Sequence, residues 1–118
     1  MDPRPRIGRA GEDAAARHLA RRGWRIVARR WRGGGGELDL VARRAGVLAV
    51  CEVKVHRGSP VAYAPVGARQ RARIVAGAEA FLAAHPGLAG DDVHLDLLLV
   101  RPAAGRWRVR HLPRALEW

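Results

Sequence analysis

Lysine is almost absent from this chain of 118 residues. Only one of its 22 basic side chains is a lysine, Lys54, and all the others are arginines. Threonine and asparagine are missing altogether, and the composition is biased towards Ala, Arg, Gly and Pro, which indicates a GC-rich genome. Codon bias of this kind would enrich arginine without any functional reason. A lysine that survives it is therefore a candidate for a position that arginine cannot fill.

Two further shortages exclude whole classes of protein. The chain has a single cysteine, Cys51, so it forms no intramolecular disulfide and fits the reducing environment of the cytosol. It has no run of about 18 apolar residues that could span a membrane. Its first residues are basic but lack the apolar segment of a secretion signal. These absences predict a cytoplasmic protein with no membrane partner.

Length and charge predict one domain with a polyanionic partner. Residues 1–118 are 48% hydrophobic, which is enough for a single domain with a real core. The formal net charge is +11 and the sequence pI is about 11.7. A basic excess of this size favours a polyanion as the partner, with nucleic acid first and an anionic membrane surface second. Codon bias alone stays open as the source of the charge.

Hydrophobic periodicity predicts an α/β fold of order αβββαβ, followed by one more strand. The predicted helices are residues 7–22 and 66–84, each ended by glycine or proline. The predicted strands are residues 24–31, 37–43, 47–55, 93–100 and 106–112, the last at a sheet edge. Residues 1–6 are predicted to be a loose arm and 56–65 a loop. The glycine run 33–36 lacks the Lys-Ser/Thr of a phosphate-binding loop and is predicted to be a flexible lead-in to Glu37.

Two acids on neighbouring predicted strands are candidates for a metal site. If Ala45-Gly46 is a two-residue turn, Arg44 faces Val47, and counting outward sets Asp39 directly opposite Glu52. Directly opposed side chains share a face, with Cβ atoms about 5 Å apart. Two carboxylates at that distance repel each other unless a cation lies between them. Hard oxygen ligands suit Mg²⁺, so this register predicts a divalent metal site.

The lone lysine lies on the same strand face as one of these acids. Lys54 follows Glu52 by two residues, and strand side chains alternate between faces. An ammonium is a compact charge that can approach water or a phosphate oxygen, whereas a guanidinium is a planar fork that cannot lose its proton. A site that needs the ammonium would resist replacement by arginine. The alternative is that Lys54 is an ordinary ion-pair partner of Glu52.

The two predicted helices add polar residues on their inward faces. Glu12 lies on the apolar stripe of the first helix, where an acid is costly unless it is paired or bound to metal. Gln70 lies at the leading end of the inward stripe of the second helix. Arg69, Arg71 and Arg73 surround it near the helix start, where cations oppose the helix dipole. These three arginines are therefore predicted to contact nucleic-acid phosphates.

Four segments, taken in order, resemble a known family. They are "GRAGEDAAARHL", "GELDLVAR", "CEVKV" and "ARQRARIVAGAEAFL", and together they span roughly residues 8 to 100. They resemble the YraN-like family of predicted endonucleases, in the restriction-endonuclease-like superfamily with its PD-(D/E)xK signature, which is related to Holliday-junction resolvases. The resemblance implies a restriction-endonuclease-like core with a mixed central sheet flanked by helices. It also implies phosphodiester hydrolysis that uses Mg²⁺ or Mn²⁺.

The resemblance also implies a role for each matching position. Asp39 and Glu52 would be metal ligands together with the backbone carbonyl of Val53, and Lys54 would position or activate water and offset transition-state charge. Glu12 would match the first-helix acid that the resolvases also use, and Gln70 a polar position of the second helix. The chain departs from the family where Val55 and His56 precede Arg57, since the family usually has Thr and then Arg there. Arg69 replaces the usual lysine before Gln70.

Two other functional classes stay open at this point. One is a nucleic-acid-binding module that keeps the fold and basic surface without catalysis, and the other is a basic ribosome-associated or scaffold protein. A homodimer would suit a four-way junction, because two-fold symmetry would match two cuts. The five histidines show no zinc-binding spacing, and Cys51 is predicted to lie in the core. Asp96 interrupts an apolar strand and either supports the site or makes a structural hydrogen bond.

Overall fold

The secondary structure follows the predicted order closely. The structure is a computed structural model that describes residues 4–56 and 66–118, with side chains from residue 8 onward. Its elements are α1 (Arg4–Arg21), β1 (Arg25–Gly33), β2 (Gly36–Arg44), β3 (Val47–Val55), α2 (Ala68–Ala84), a 3₁₀ turn (Pro86–Leu88), β4 (Asp92–Ala103) and β5 (Arg106–Leu116). Most of the predicted 56–65 loop, including Arg57, lies outside the described residues.

The first helix begins earlier than predicted. It starts at Arg4, so residues 4–6 of the predicted arm are helical. Pro5 is compatible with this start, because the first N–H groups of a helix have no partner within it and proline lacks that donor. The helix ends at Arg21, and Gly23 follows with a φ of +86°, as the glycine stop predicts.

The five strands form one mixed sheet with helices on both faces. Their order is β1-β2-β3-β4-β5, and β3–β4 is the parallel pair among otherwise antiparallel neighbours. A parallel pair needs a crossover, and α2 lies in the connection between β3 and β4. This architecture confirms the predicted fold and is compatible with a restriction-endonuclease-like core. The prediction that the last strand lies at a sheet edge is also confirmed.

Each face of the sheet has its own apolar core. Ala14, Ala15 and Leu19 of α1 pack with Trp24, Cys51 and neighbouring strand residues on one face. On the other face, α2 buries the predicted stripe, and its packed residues are Ile74, Ala78 and Phe81. Cys51 is a core residue, as predicted. None of the described helices is long and apolar enough to cross a membrane.

The glycine run is a tight hairpin held against α2, and the predicted flexible lead-in is wrong. Gly34 and Gly35 form the turn between β1 and β2 with φ angles of +60° and +80°, which side chains rarely adopt. A Cβ at Gly36 would lie 2.7 Å from the backbone nitrogen of Gly77 and also against the carbonyl oxygen of Arg73. The run therefore lets the hairpin backbone touch the helix backbone, and it fixes one wall of the cleft described below.

Candidate active site

The strand register brings the two predicted metal ligands together. The pairs run from Arg44↔Val47 to Leu40↔Cys51, which confirms the predicted turn and sets Asp39 opposite Glu52 when the register is continued. Asp39 Oδ2 accepts a 2.8 Å hydrogen bond from the backbone N–H of Val53. The carboxylate is thus fixed in place by the backbone of the facing strand. Sequence alone gave the register but not this anchoring bond.

Gln70 of α2 links Glu52 and Lys54 into one hydrogen-bonded chain. Its Nε2 donates to Glu52 Oε1 at 2.7 Å, and its Oε1 accepts from Lys54 Nζ at 3.0 Å. Lys54 Nζ also lies 3.9 Å from Glu52 Oε1. The amide orientation follows from its partners, because an ammonium only donates and a carboxylate only accepts. Gln70 therefore connects two residues of β3 that precede it in the sequence by 18 and 16 positions.

Burial and mutual repulsion make this site unfavourable for two negative charges. Burial and, next, the nearby charge of Asp39 raise the pKa of Glu52 to about 8, and Lys54 only partly offsets them. Burial also raises the pKa of Asp39, although the bond from Val53 N–H acts in the opposite direction. Charged forms are disfavoured where water is excluded and like charges are close. A bound cation would reverse this balance and hold both carboxylates ionised.

The donor set fits a hard divalent cation that keeps part of its water shell. Within the described ranges, no cluster of three or more His, Cys, Asp or Glu side chains is arranged to hold a metal. The carboxylates that line the cleft are Asp39, Glu52 and Glu37, of which Glu37 lies 3.6 Å from Arg32, and the backbone carbonyl of Val53 is the further donor that the family resemblance implies. Mg²⁺ commonly takes one or two protein carboxylates and completes its shell with water and substrate phosphate. Two carboxylates at this position meet that requirement.

The two carboxylates open into a cleft of about 460 Å³. Its walls include Arg32 of β1, Arg73 of α2 and the glycine hairpin at Gly33, Gly35 and Gly36. Glycine leaves backbone exposed along that wall, because no side chain covers it. Glu37 also lines the cleft and lies 3.6 Å from Arg32, so three carboxylates share it with two arginines, a distribution that suits an anionic ligand bound through a metal. Sequence reasoning missed Arg32 and the hairpin, although the four consecutive glycines were their signal.

Glu12 lies near these carboxylates but is held by an arginine. Its charge is one of the causes that raise the pKa of Asp39. Its two carboxylate oxygens accept hydrogen bonds from Arg30 Nε and Nη2 at 2.9 and 2.8 Å. Arg30 has a φ of +51°, an unusual backbone for arginine, within strand β1. The sequence pattern did not identify Arg30 as the partner of Glu12.

The other predicted site residues fall in different places. Arg73 lines the cleft, and Arg69 is exposed at the start of α2. Arg71 donates a 3.2 Å hydrogen bond to the backbone carbonyl of Glu117. Asp96 is buried on the opposite sheet face, where it contacts His111 Nε2 at 2.6 Å and accepts from the N–H of Arg114. Of its two open readings, the structural hydrogen bond is confirmed.

Comparisons with known proteins extend over nearly the whole chain. Residues 11–100 match the family described as "Uncharacterised protein family UPF0102". The chain is 46% identical to a UPF0102 protein of Azorhizobium caulinodans over 93% of this chain and 82% of that one. It is 47% identical to a UPF0102 protein of Frankia casuarinae, with 95% and 97% covered, and 40% identical to one of Roseiflexus castenholzii, with 97% and 95% covered.

Proposed function

The chain belongs to the protein family UPF0102, and we propose that it is a metal-dependent nuclease that hydrolyses phosphodiester bonds in DNA. The observation that carries this proposal is the constellation of Asp39, Glu52 and Gln70, which line one cleft, with Lys54, which is hydrogen-bonded to Gln70. It combines two adjacent carboxylates, which disfavour their own ionisation, with an ammonium held beside them. This combination supplies metal ligands and a positioned cation in one place.

Asp39, Glu52 and the carbonyl of Val53 would hold Mg²⁺ or Mn²⁺. The ion would supply Lewis-acid stabilisation of the negative charge on the phosphoryl oxygens. The protein's own part is to hold the two carboxylates at the right separation. The bond from Val53 N–H orients Asp39, and the bond from Gln70 orients Glu52. Both ligands are thus positioned before a cation binds, which reduces the reorganisation needed during the reaction.

Lys54 would position the attacking water and offset the negative charge on the phosphoryl oxygens of the phosphorane-like transition state. Its ammonium has three N–H donors, and one of them is directed to Gln70 Oε1. Its side chain is 33% exposed, so the head can reach both solvent and a bound phosphate. Gln70 is a positioning residue here, because it acts by orienting Lys54 and Glu52. An arginine in place of Lys54 would bring a wider head group to the same space.

DNA is the proposed substrate because of the charge around the cleft. The net charge of +11 favours a polyanion, and Arg32 and Arg73 line the walls above the carboxylates. RNA carries the same phosphates and is the competing substrate. Branched or repair intermediates are the DNA forms that the family resemblance favours. Two-fold symmetric junctions would call for a homodimer.

A nucleic-acid-binding module without catalysis is the second candidate. Its support is Glu12, which is engaged by Arg30 in a bidentate pair and, in the part of the chain that the structure describes, is not among the residues lining the cleft. A site that used Glu12 chemically would need to release it. The two candidates differ in a single measurable property, which is cleavage.

The deciding experiment is incubation with labelled linear, flapped and four-way DNAs and matching RNAs in Mg²⁺, Mn²⁺ or EDTA. We expect metal-dependent cleavage of at least one DNA and none in EDTA. Asp39→Asn, purified in parallel, is the control for contaminating nuclease and should be inactive. If the wild type binds but cleaves no substrate with either metal, the binding module replaces the nuclease.

Arg69, Arg71 and Arg73 are proposed to contact DNA phosphates at the mouth of the cleft. Replacing all three with alanine should reduce the slope of log K against log salt by about 2 to 3, since each neutralised phosphate contributes about 0.9. Arg73 lines the cleft and is expected to give the largest single change, while Arg71 already bonds to Glu117 and should give the smallest. An unchanged slope in the triple variant would assign their charge to codon bias.

A further inference from the structure

A second group of arginines continues the sheet face that carries Lys54. The strand register sets Lys54 beside Leu99 of β4, and Leu99 beside Arg110 of β5. Arg101 of β4 faces Arg108 of β5 two residues further along. Because side chains alternate along strands, these three arginines lie on the same face as Lys54. Helix α2 packs on β1 and β2 at the other end of this face.

These arginines line a separate cleft of about 250 Å³, which we call the arginine cleft. Its lining residues are His56, Leu99, Arg101, Arg108, Val109 and Arg110. Arg108 and Arg110 are exposed, and Arg101 is half-buried. Three guanidinium groups around so small a space leave a concentrated positive potential that an anion would neutralise.

The arginines of this cleft differ from those that serve the fold. Some arginines bind carboxylates closely, as Arg29 does with Asp13 and Arg43 does with Asp91, each at 2.6 Å. Across the described ranges, no carboxylate lies within salt-bridge distance of Arg101, Arg108 or Arg110. Within those ranges their charge is not neutralised by an acid, and three such arginines line one small cleft.

Protection of an edge strand explains only part of this pattern. Charged residues on an edge strand hinder pairing with another chain, and β5 is an edge strand. Arg101, however, is on β4 just beyond the last pair of that strand with β3, and it lies directly opposite Arg108 of β5. Like charges placed directly opposite each other on neighbouring strands are destabilising, so edge protection alone does not explain this pair.

We propose that the arginine cleft binds a phosphodiester group of the DNA strand beyond the scissile bond. This proposal rests on the nuclease function proposed above and extends the substrate path from the site across β4 to β5. Neighbouring strands lie about 4.8 Å apart, so Arg110 is about 10 Å from Lys54 across two spacings. Measured along the axis of a duplex, where successive phosphates of one strand rise by about 3.4 Å, that distance corresponds to about three nucleotides. The cleft would thus hold a phosphate a few nucleotides from the bond that is cut.

The test compares two variants that remove the same charge from opposite faces of the sheet. One replaces Arg101, Arg108 and Arg110 with alanine, and the control replaces the exposed helix α1 residues Arg9, Arg17 and Arg21. Binding of a labelled DNA duplex is measured by fluorescence anisotropy in EDTA, so that cleavage does not interfere. We expect the first variant to reduce the slope of log K against log salt by about 2 to 3, and the control by less than about 1.

Two outcomes would overturn the proposal. Equal slopes for both variants would mean that the arginine cleft contributes only general charge, and an unchanged slope in the first variant would mean that it contacts no phosphate. If circular dichroism shows that the triple variant is unfolded, Arg108→Ala and Arg110→Ala are measured singly, because both side chains are exposed at the edge. Each should then lower the slope by about 0.9, and no change in either would overturn the proposal.

The same samples separate this proposal from the proposed nuclease function. If the wild type never cleaves DNA but the first variant loses its salt slope, the hydrolysis proposal fails and the arginine cleft stands as a binding surface. If the first variant cleaves and binds as the wild type does, the cleft proposal fails and the nuclease proposal is unaffected.

Discussion

The carboxylates of this chain fall into two groups according to the cation that faces them. Asp13, Asp91 and Glu12 each bind an arginine, at distances between 2.6 and 2.9 Å. Asp39 and Glu52 are bound instead by a backbone N–H and by the amide of a glutamine. Among the described residues, the cation nearest to either of them is Lys54, 3.9 Å from Glu52. Guanidinium groups are thus kept away from the base of the cleft.

The pKa shifts follow the same division. A hydrogen bond from Arg29 lowers the pKa of Asp13, and one from His94 lowers the pKa of Asp92. Burial raises the pKa of both Asp39 and Glu52. Asp13 and Asp92 are thus stabilised as anions by their partners, whereas Asp39 and Glu52 lack such compensation. A pair of carboxylates left uncompensated in so arginine-rich a chain is therefore the best candidate for binding a cation from solution.

The largest effect should come from removing one of the uncompensated carboxylates. Glu52→Gln is expected to lower metal-dependent cleavage on the order of 10³-fold, because it removes a ligand while keeping the side-chain shape. It should also weaken Mn²⁺ binding measured by calorimetry. The matched control is Glu79→Gln, an exposed acid of α2, which should leave both unchanged. Equal cleavage by Glu52→Gln and the wild type would place the chemistry elsewhere.

A smaller loss is expected when the lone ammonium becomes a guanidinium. Lys54→Arg keeps the charge, so DNA binding in EDTA should stay within about twofold, since phosphate attraction depends mainly on charge. Turnover should fall by about 10² or more, because a planar head group cannot make the same contact with Gln70 and would misplace the water. The control is the opposite exchange, arginine to lysine, at Arg17 on the exposed side of α1. If Lys54→Arg cleaves at the wild-type rate, the lysine is an ordinary cation.

The division between the two groups also predicts how stability depends on pH. The pKa of Glu52 rises from 4.5 to about 8 in the folded protein, so the folded state holds its proton more tightly. This contribution to stability is fully present below the unfolded pKa and is lost as pH rises through about 8. The metal-free protein should therefore melt several degrees lower at high pH than at pH near 5. Asp13 and Asp92 act in the opposite sense, since their lowered pKa values add stability that is lost only on strong acidification.

Two comparisons isolate the part of this pH dependence that is due to Glu52. Glu52→Gln has no such titration, so its melting temperature should change less between the same pH values and should exceed that of the wild type at high pH. Adding Mn²⁺ at high pH should raise the melting temperature of the wild type but not of this variant. A wild-type melting temperature that stays flat between pH 5 and 8 would contradict the raised pKa.

Most of the fold could be predicted because its signals are local. The apolar run of β3 predicted Val47–Val55 to the residue, and Ala45-Gly46 predicted the turn that sets the register of Asp39 and Glu52. The inward stripe of α2 likewise predicted that Gln70 would point towards the sheet. The signals that failed depend on contacts distant in sequence. The glycine run looked flexible because nothing in its own sequence shows that α2 lies against it.

The electrostatic detail of the site could not be predicted for the same reason. Each charged residue has many oppositely charged candidates in so basic a chain, and only the fold selects among them. Glu12 was predicted to face inward, but its partner Arg30 is 18 residues away and reaches it through an irregular backbone. The bond from Val53 N–H to Asp39 is a backbone contact that no side-chain pattern encodes. The predicted register could identify Asp39 and Glu52 as a candidate metal site, but not that the fold would leave both without an arginine partner.

The smallest expected effect concerns Glu12. Like the other carboxylates of the first group, it is bound by an arginine, but it lies near Asp39 of the second group. Glu12→Gln should lower the free energy of unfolding by about 1 kcal/mol, because the bidentate pair is only partly exposed, with 14% of the Glu12 side chain and 38% of the Arg30 side chain accessible. A double-mutant cycle with Arg30→Gln should give a coupling of similar size, and the Asp13–Arg29 pair, which is more exposed, should give less. DNA cleavage by Glu12→Gln is measured on the same samples. Loss of cleavage with unchanged stability would move Glu12 into the catalytic group and break the division between the two sets of carboxylates.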